Sequence, residues 1–74
     1  MVLLSAGFLS SCGEYNSVLK STDYEYKYEA AKVYFAKGQN SKAATILEEL
    51  IPIMKGTRFG EESLYMLAMT YFNQ

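Results

Sequence analysis

The chain has 74 residues, with seven basic and eight acidic side chains, a net charge of −1 and no histidine. Near-neutral charge without a basic patch excludes the electrostatic footprint of nucleic-acid binding, and the missing imidazole removes the commonest metal ligand and general base. Half of the residues are hydrophobic, and the single cysteine leaves no partner for a disulfide within the chain.

Residues 1–11 carry no charge. Val2, Leu3, Leu4, Ala6, Phe8 and Leu9 make an apolar core too short to span a bilayer, and it runs into Leu9-Ser10-Ser11-Cys12. This run resembles a bacterial lipobox, so residues 1–11 read as a lipoprotein signal peptide and Cys12 as the lipidated residue. Ser10 and Ser11 supply the small residues that a signal peptidase needs beside its cut. Several acyl chains on one residue would give stable membrane attachment, where a single chain gives only marginal binding. A secretory signal also needs a basic n-region, and the first basic residue is Lys20. The natural start is therefore expected upstream, or the chain has been cut. The other reading makes residues 2–11 a buried helix and Cys12 a core thiol; Ser5, Ser10, Ser11 and Gly13 interrupt the amphipathicity that this would require. Residues 12–21 are polar with isolated apolar members and read as a tether, with one short helical turn at most.

A first helix is predicted from Thr22, because Thr22-x-x-Glu25 has the form of a capping box. Gly38 supplies a C-terminal stop, and Asn40 or Ser41 can cap the next helix. In that second helix Ala43, Ile46, Leu47, Leu50, Ile51 and Met54 keep a helical apolar spacing without a miss. Pro52 lacks an N–H, so a kink or an end is predicted near Ile51. A third helix is predicted to start between Arg58 and Glu61, with Glu61 and Glu62 in its first turn where the dipole favours anions. No strand pattern competes. Lys20, Lys27, Lys32, Lys37 and Lys42 stand singly between acids, the pattern of a solvated helical surface. Glu48-Glu49 and Glu61-Glu62 diverge by about 100° on a helix and read as solvated carboxylates rather than an acid–base pair. No phosphate loop, nucleophile elbow or cysteine pair occurs. Neither catalysis nor a cofactor has a candidate constellation, and no small-molecule substrate is implied.

Two of these helices repeat one another. Ala31-Lys32-Val33-Tyr34-Phe35 returns as Ala68-Met69-Thr70-Tyr71-Phe72, a shift of 37 positions from 31 to 68, and Glu25 and Tyr28 return as Glu62 and Tyr65. A period of this size marks stacked helical hairpins, none of which buries its apolar face alone. With Tyr34 and Tyr71 aligned, Ala31, Gly38, Ala43, Leu47 and Leu50 fall at the repeat positions, as does Leu64-x-x-Leu67-Ala68-x-x-Tyr71. The chain thereby resembles a tetratricopeptide repeat protein with a period of about 34 residues. Ala31, Ala68 and Ala43 are the small residues that let helices approach closely. Lys27 departs from the pattern by occupying a large apolar position, and Pro52 stands early. The alternative is an ordinary three-helix piece whose likeness to a repeat is accidental.

The predicted fold is therefore all-α: about three helices of tetratricopeptide-like hairpins, a fragment of a right-handed α-solenoid. The first hairpin spans 22–56, and 57–74 forms the first helix of a truncated second repeat. Arrays of this kind need about three repeats for stability, so the chain is expected to be a fragment or to complete its core with a partner.

A lipobox cysteine, a polar spacer, tyrosine-rich repeat helices and the run Phe59-Gly60-Glu61-Glu62-Ser63-Leu64-Tyr65-Met66-Leu67-Ala68 together resemble the N-terminal part of the BamD family. These are the lipoproteins of the outer-membrane β-barrel assembly machinery. The resemblance implies a non-enzymatic scaffold, lipid-anchored at the periplasmic face of the outer membrane. Its implied partners are the other subunits of that machinery and the targeting segments of unfolded outer-membrane proteins. Gly13, rather than an aspartate, after the cysteine accords with outer-membrane delivery. For such a peptide the outward face of the first helices offers Tyr28, Lys32 and Phe35, then Tyr65, Met69 and Phe72, aromatics with a lysine suited to an extended apolar segment ending in a carboxylate. Phe35 and Phe72 read equally well as core, and Tyr34 and Tyr71 as structural. Two other readings stay open: a different repeat-type cell-envelope adaptor lipoprotein, and the N-terminal part of an outer-membrane glycan-binding lipoprotein. For the latter, Tyr24, Tyr26 and Tyr28 would be sugar platforms, but helix neighbours two apart do not share a face.

Overall fold

The computed structural model describes residues 13–73, so the signal-peptide reading of 1–11 and the lipidation of Cys12 lie outside the described residues. Residues 13–20 are helical (α1) and are followed by α2 (Tyr24–Ala36), α3 (Asn40–Ile53) and α4 (Arg58–Asn73). The described residues thus hold four helices and no strand, in a hairpin-like arrangement. α3 is the middle element: it packs on both α2 and α4, which touch each other little. Its apolar stripe supplies Ala43, Ile46, Leu47 and Leu50 to a core completed by Val18, Tyr28, Ala31, Tyr34 and Met66.

The spacer expected over 12–21 is, from residue 13, a docked helix. Val18 is buried in the core, with Tyr15 and Leu19 packed beside it. Tyr15 meets Tyr34 edge-on at 5.6 Å, and the Lys42 ammonium lies 5.1 Å from the Tyr15 ring centre and 5.5 Å from that of Tyr34. Tyr15, Val18 and Leu19 stand at i, i+3 and i+4, a helical spacing, but one set of three in a polar segment is too short to settle a helix without the elements it packs on.

Lys27 overturns the reading of a uniformly solvated lysine series. It is 1 % exposed, and its ammonium donates to Glu49 Oε1 at 2.5 Å and to the Leu19 carbonyl at 3.1 Å. The charge is tolerated because a carboxylate and a carbonyl near the C-terminal end of α1 both accept from it. One buried lysine therefore ties α1, α2 and α3 together.

Local signals place the ends. Asp23, not Thr22, caps α2, accepting from the Tyr26 N–H at 3.1 Å, while Ser21 Oγ accepts from the Asp23 N–H at 3.0 Å. A carboxylate is the stronger acceptor at a helix N-terminus. Gly38 ends α2 as predicted. At φ 78 it lets its own N–H reach the Phe35 carbonyl and the Gln39 N–H reach the Tyr34 carbonyl, at 3.1 and 2.9 Å, the paired bonds of a Schellman ending. Neither Asn40 nor Ser41 is the cap of α3; Gln39 holds that place and makes no side-chain cap bond. α3 runs through Pro52 to Ile53, two residues beyond the predicted Ile51, because a proline near the end of a helix removes only one bond. α4 begins at Arg58, with Thr57 Oγ1 accepting from the Gly60 N–H at 3.2 Å and donating to the Met54 carbonyl at 2.7 Å. Gly60 lies against that same carbonyl: a Cβ there would overlap Met54 O. A glycine is what lets α4 start so close to the end of α3.

Candidate functional site

A groove opens between α2 and α4, lined by Tyr28, Lys32, Glu61, Glu62, Tyr65 and Met66. Tyr28 forms its floor. That ring is 2 % exposed, meets Phe59 edge-on at 5.1 Å and has the Lys32 ammonium 5.3 Å from its centre. Its hydroxyl donates to Glu62 Oε1. Burial, together with this bond to a carboxylate, pushes the phenol up to about 12 from its ordinary 10.0, so it is a fixed donor across the neutral range. Glu62 is held in turn by Arg58 at 3.9 Å. Lys32 stands half-exposed on one wall, 3.6 Å from Glu29. On the other wall Tyr65 is 66 % exposed, with Glu61 beside it.

Of the six predicted contact residues, the fold brings Tyr28, Lys32 and Tyr65 to one groove and leaves three out. Phe35 is half-buried against the core. Met69 is half-buried outside the lining, and Phe72 stands away from it, 82 % exposed. Tyr28, taken from the sequence as an outward contact, is instead a core residue whose hydroxyl is satisfied by Glu62. Tyr34 is buried as a structural residue would be. Its counterpart Tyr71 is exposed and donates to Glu48 Oε2, a bond that raises the phenol above its ordinary range. Glu61, Glu62 and Met66 are groove residues that periodicity did not single out. Glu48, Glu49 and Glu62, expected to be merely solvated, each accept a hydrogen bond from another helix.

The divergence has one geometric origin. α2 buries Lys27, Tyr28, Ala31 and Tyr34, and the same positions of the repeat in α4 are Leu64, Tyr65, Ala68 and Tyr71, all exposed. α4 buries Gly60, Ser63, Met66 and Thr70, and their counterparts, the cap residue Asp23 and Tyr26, Glu29 and Val33 of α2, are all exposed. The two copies of the motif bury different faces, and only the Tyr71 hydroxyl on the open face of α4 reaches back to α3, at Glu48. The sequence did hold a signal for this: Gly60, Ser63, Met66, Leu67 and Thr70 recur at helical spacing with small residues first, the pattern of a close-packed helix face.

Compared with family models, with curated proteins and with solved structures, the chain matches none.

Proposed function

We propose that the protein is a non-enzymatic scaffold of stacked tetratricopeptide-like hairpins. It is anchored through a lipidated Cys12 at the periplasmic face of the outer membrane and binds extended peptide segments during the assembly of outer-membrane β-barrel proteins. The observation that carries the peptide-binding reading is the groove, which Lys32 and the exposed Tyr65 line together with a buried Tyr28. An extended apolar segment can lay an aromatic residue against Tyr65 and Met66 and bring its C-terminal carboxylate to Lys32. Glu61 and Glu62 on the far wall disfavour acidic side chains elsewhere in the segment. The inverted burial of α2 and α4 supports the repeat reading, since a helix in a stacked array has one face for the hairpin before it and one for the hairpin after. The lipobox resemblance and the run Phe59 to Ala68 support the cellular setting.

The test is a titration of a labelled peptide, with the C-terminal sequence of an outer-membrane protein, against the full chain by fluorescence anisotropy. Tyr65→Ala is expected to weaken binding by about 1–2 kcal/mol, the size of an anchoring aromatic, with an unchanged thermal melt. Lys32→Ala should weaken it at low salt and lose its effect at high salt. Parent-like affinity in both variants would sink the groove assignment. For the anchor, the N-terminal peptide mass of protein expressed from an authentic upstream start in a diderm bacterium should show acylated Cys12; an unmodified cysteine refutes it.

A further inference from the structure

A separate cavity of about 230 Å³ opens between α1 and α2 and shares no lining residue with the groove. Ala30 and Val33 line it together with Tyr26 and Tyr34, and Glu14 of α1 and Glu29 of α2 bring two carboxylates to it. Tyr34 is 7 % exposed, and among the described residues its buried hydroxyl has no hydrogen-bond partner. Tyr15 and the Lys42 ammonium pack on the ring, and because a phenol oxygen lies on the ring axis, a fixed ring fixes the hydroxyl too. Folded chains rarely leave such a group unpaired. Burial, and after it the Glu14 carboxylate, hold this phenol above its ordinary range, so it stays protonated at neutral pH. Glu14 is thus near enough to act on the hydroxyl without being bonded to it.

We propose that this cavity binds a small primary amine, with its ammonium between the Tyr34 hydroxyl and the Glu14 carboxylate and its apolar body against Ala30 and Val33. A group seated between those oxygens must donate to a carboxylate. An ammonium carries three donors and no acceptor, so it can bond to Glu14 and to the phenol oxygen together, and charge-assisted bonds of this kind are the strong ones. Glu29 adds a second negative charge, held only loosely by Lys32 at 3.6 Å. Tyr26 supplies an aromatic wall suited to a cation and its stem. Lys37 is the one cation of the lining, and it stands roughly two turns beyond Glu29, about 11–12 Å along α2. The acidic end of the cavity therefore disfavours an anion. A hard divalent ion takes about six to eight oxygens, and among the described residues no group of three or more acidic side chains gathers to hold one.

The probe is benzylamine, titrated into the full chain at neutral pH and followed by amide chemical shifts. Saturable shifts centred on residues 14, 30 and 33 are expected. Benzyl alcohol, the same body without the charge, should bind several-fold more weakly. Tyr34→Phe and Glu14→Gln should each weaken the amine about fivefold or more, and Lys37→Gln should strengthen it by removing a like charge. Glu14 is exposed, so the thermal melt of Glu14→Gln should match the parent. Tyr34→Phe keeps the packed ring and deletes only the unpaired hydroxyl, so its melt should be no lower. Absence of saturable shifts overturns the proposal, as does amine binding indifferent to both Tyr34→Phe and Glu14→Gln. Equal affinity for the alcohol also overturns it, since the hydroxyl would then be satisfied by a neutral group such as water. None of these substitutions touches the groove, so failure here and failure of the peptide-binding reading are separately visible.

Discussion

α2 and α4 share glutamate, tyrosine, alanine, tyrosine and phenylalanine at five equivalent positions, yet one is a core helix and the other a half-open one. In α2 the aromatic and small positions of the motif turn inward, and Tyr28 and Tyr34 are buried with Ala31 between them. In α4 the same positions turn outward, and Gly60, Ser63, Met66 and Thr70 make the contact instead. The difference lies in what stands on each side. α2 has α1 and part of α4 closing its inward face beside α3, with Tyr34 against Tyr15 and Tyr28 against Phe59 and Glu62, whereas α4 packs chiefly on α3. Burial of a repeated motif is decided by which neighbours are present.

Paired substitutions at equivalent positions sharpen this contrast most directly. Tyr28→Ala should cost about 3–5 kcal/mol, the range for a buried aromatic, whereas Tyr65→Ala should stay within about 0.5 kcal/mol, as surface changes do. Denaturant midpoints of the two variants decide it; equal losses would mean that the helices bury the same face after all.

Alkaline titration probes the Tyr28 floor without emptying it. The phenol stands at about 12 in the folded protein against 10.0 ordinarily, so the unfolded chain loses this proton first as pH rises. Stability from this group is fully present below pH 10 and drains away between pH 10 and about 12. Tyr28→Phe should remove that part of the alkaline slope while leaving the rest, since Tyr34 and Tyr71 are raised as well. An unchanged slope in melts taken across this range would show that Tyr28 is not held by Glu62.

The alanines of the motif offer a gentler version of the first comparison. Ala31→Leu should overpack the α2–α3 contact at about 1–3 kcal/mol, and Ala68→Leu should be near neutral. A loss at Ala68 as large as at Ala31 would place a covering element on α4 in the isolated chain.

The smallest effect concerns the start of α4. Gly60→Ala gains about 1 kcal/mol of helix propensity but drives a methyl into the Met54 carbonyl, for a net loss of about 1–2 kcal/mol once overpacking is set against it. One position on, Glu61→Ala should be tolerated because Glu61 is exposed. A Gly60→Ala protein as stable as the parent by thermal melt would show that the helices part without penalty.

Much of the secondary structure could be read along the chain because its causes are local. Gly38 ends α2, the apolar series from Ala43 to Leu50 is the buried stripe of α3, and α4 starts at Arg58. At the start of α2 two adjacent acceptors compete, and Asp23 rather than Thr22 takes the cap, while α3 starts from Gln39 with no side-chain cap at all. The groove was legible in part. Tyr28 and Tyr65 stood out through the repeat and Lys32 through its place on the same helix face, but Glu61, Glu62 and Met66 join them as groove residues only because α4 lies beside α2.

By itself the sequence determined an all-helical chain, the hairpin of α2 and α3, and a motif returning at a shift of 37 positions, because periodicity, glycine and proline act over a few residues. Tertiary structure alone decided that residues 13–20 dock as a helix, that Lys27 is buried between Glu49 and the Leu19 carbonyl, and that Tyr28 is sealed while Tyr65 is open. Those outcomes depend on groups far apart in the chain. A side chain is buried or exposed according to the surface placed opposite it, and no repeat of a motif can specify its neighbour.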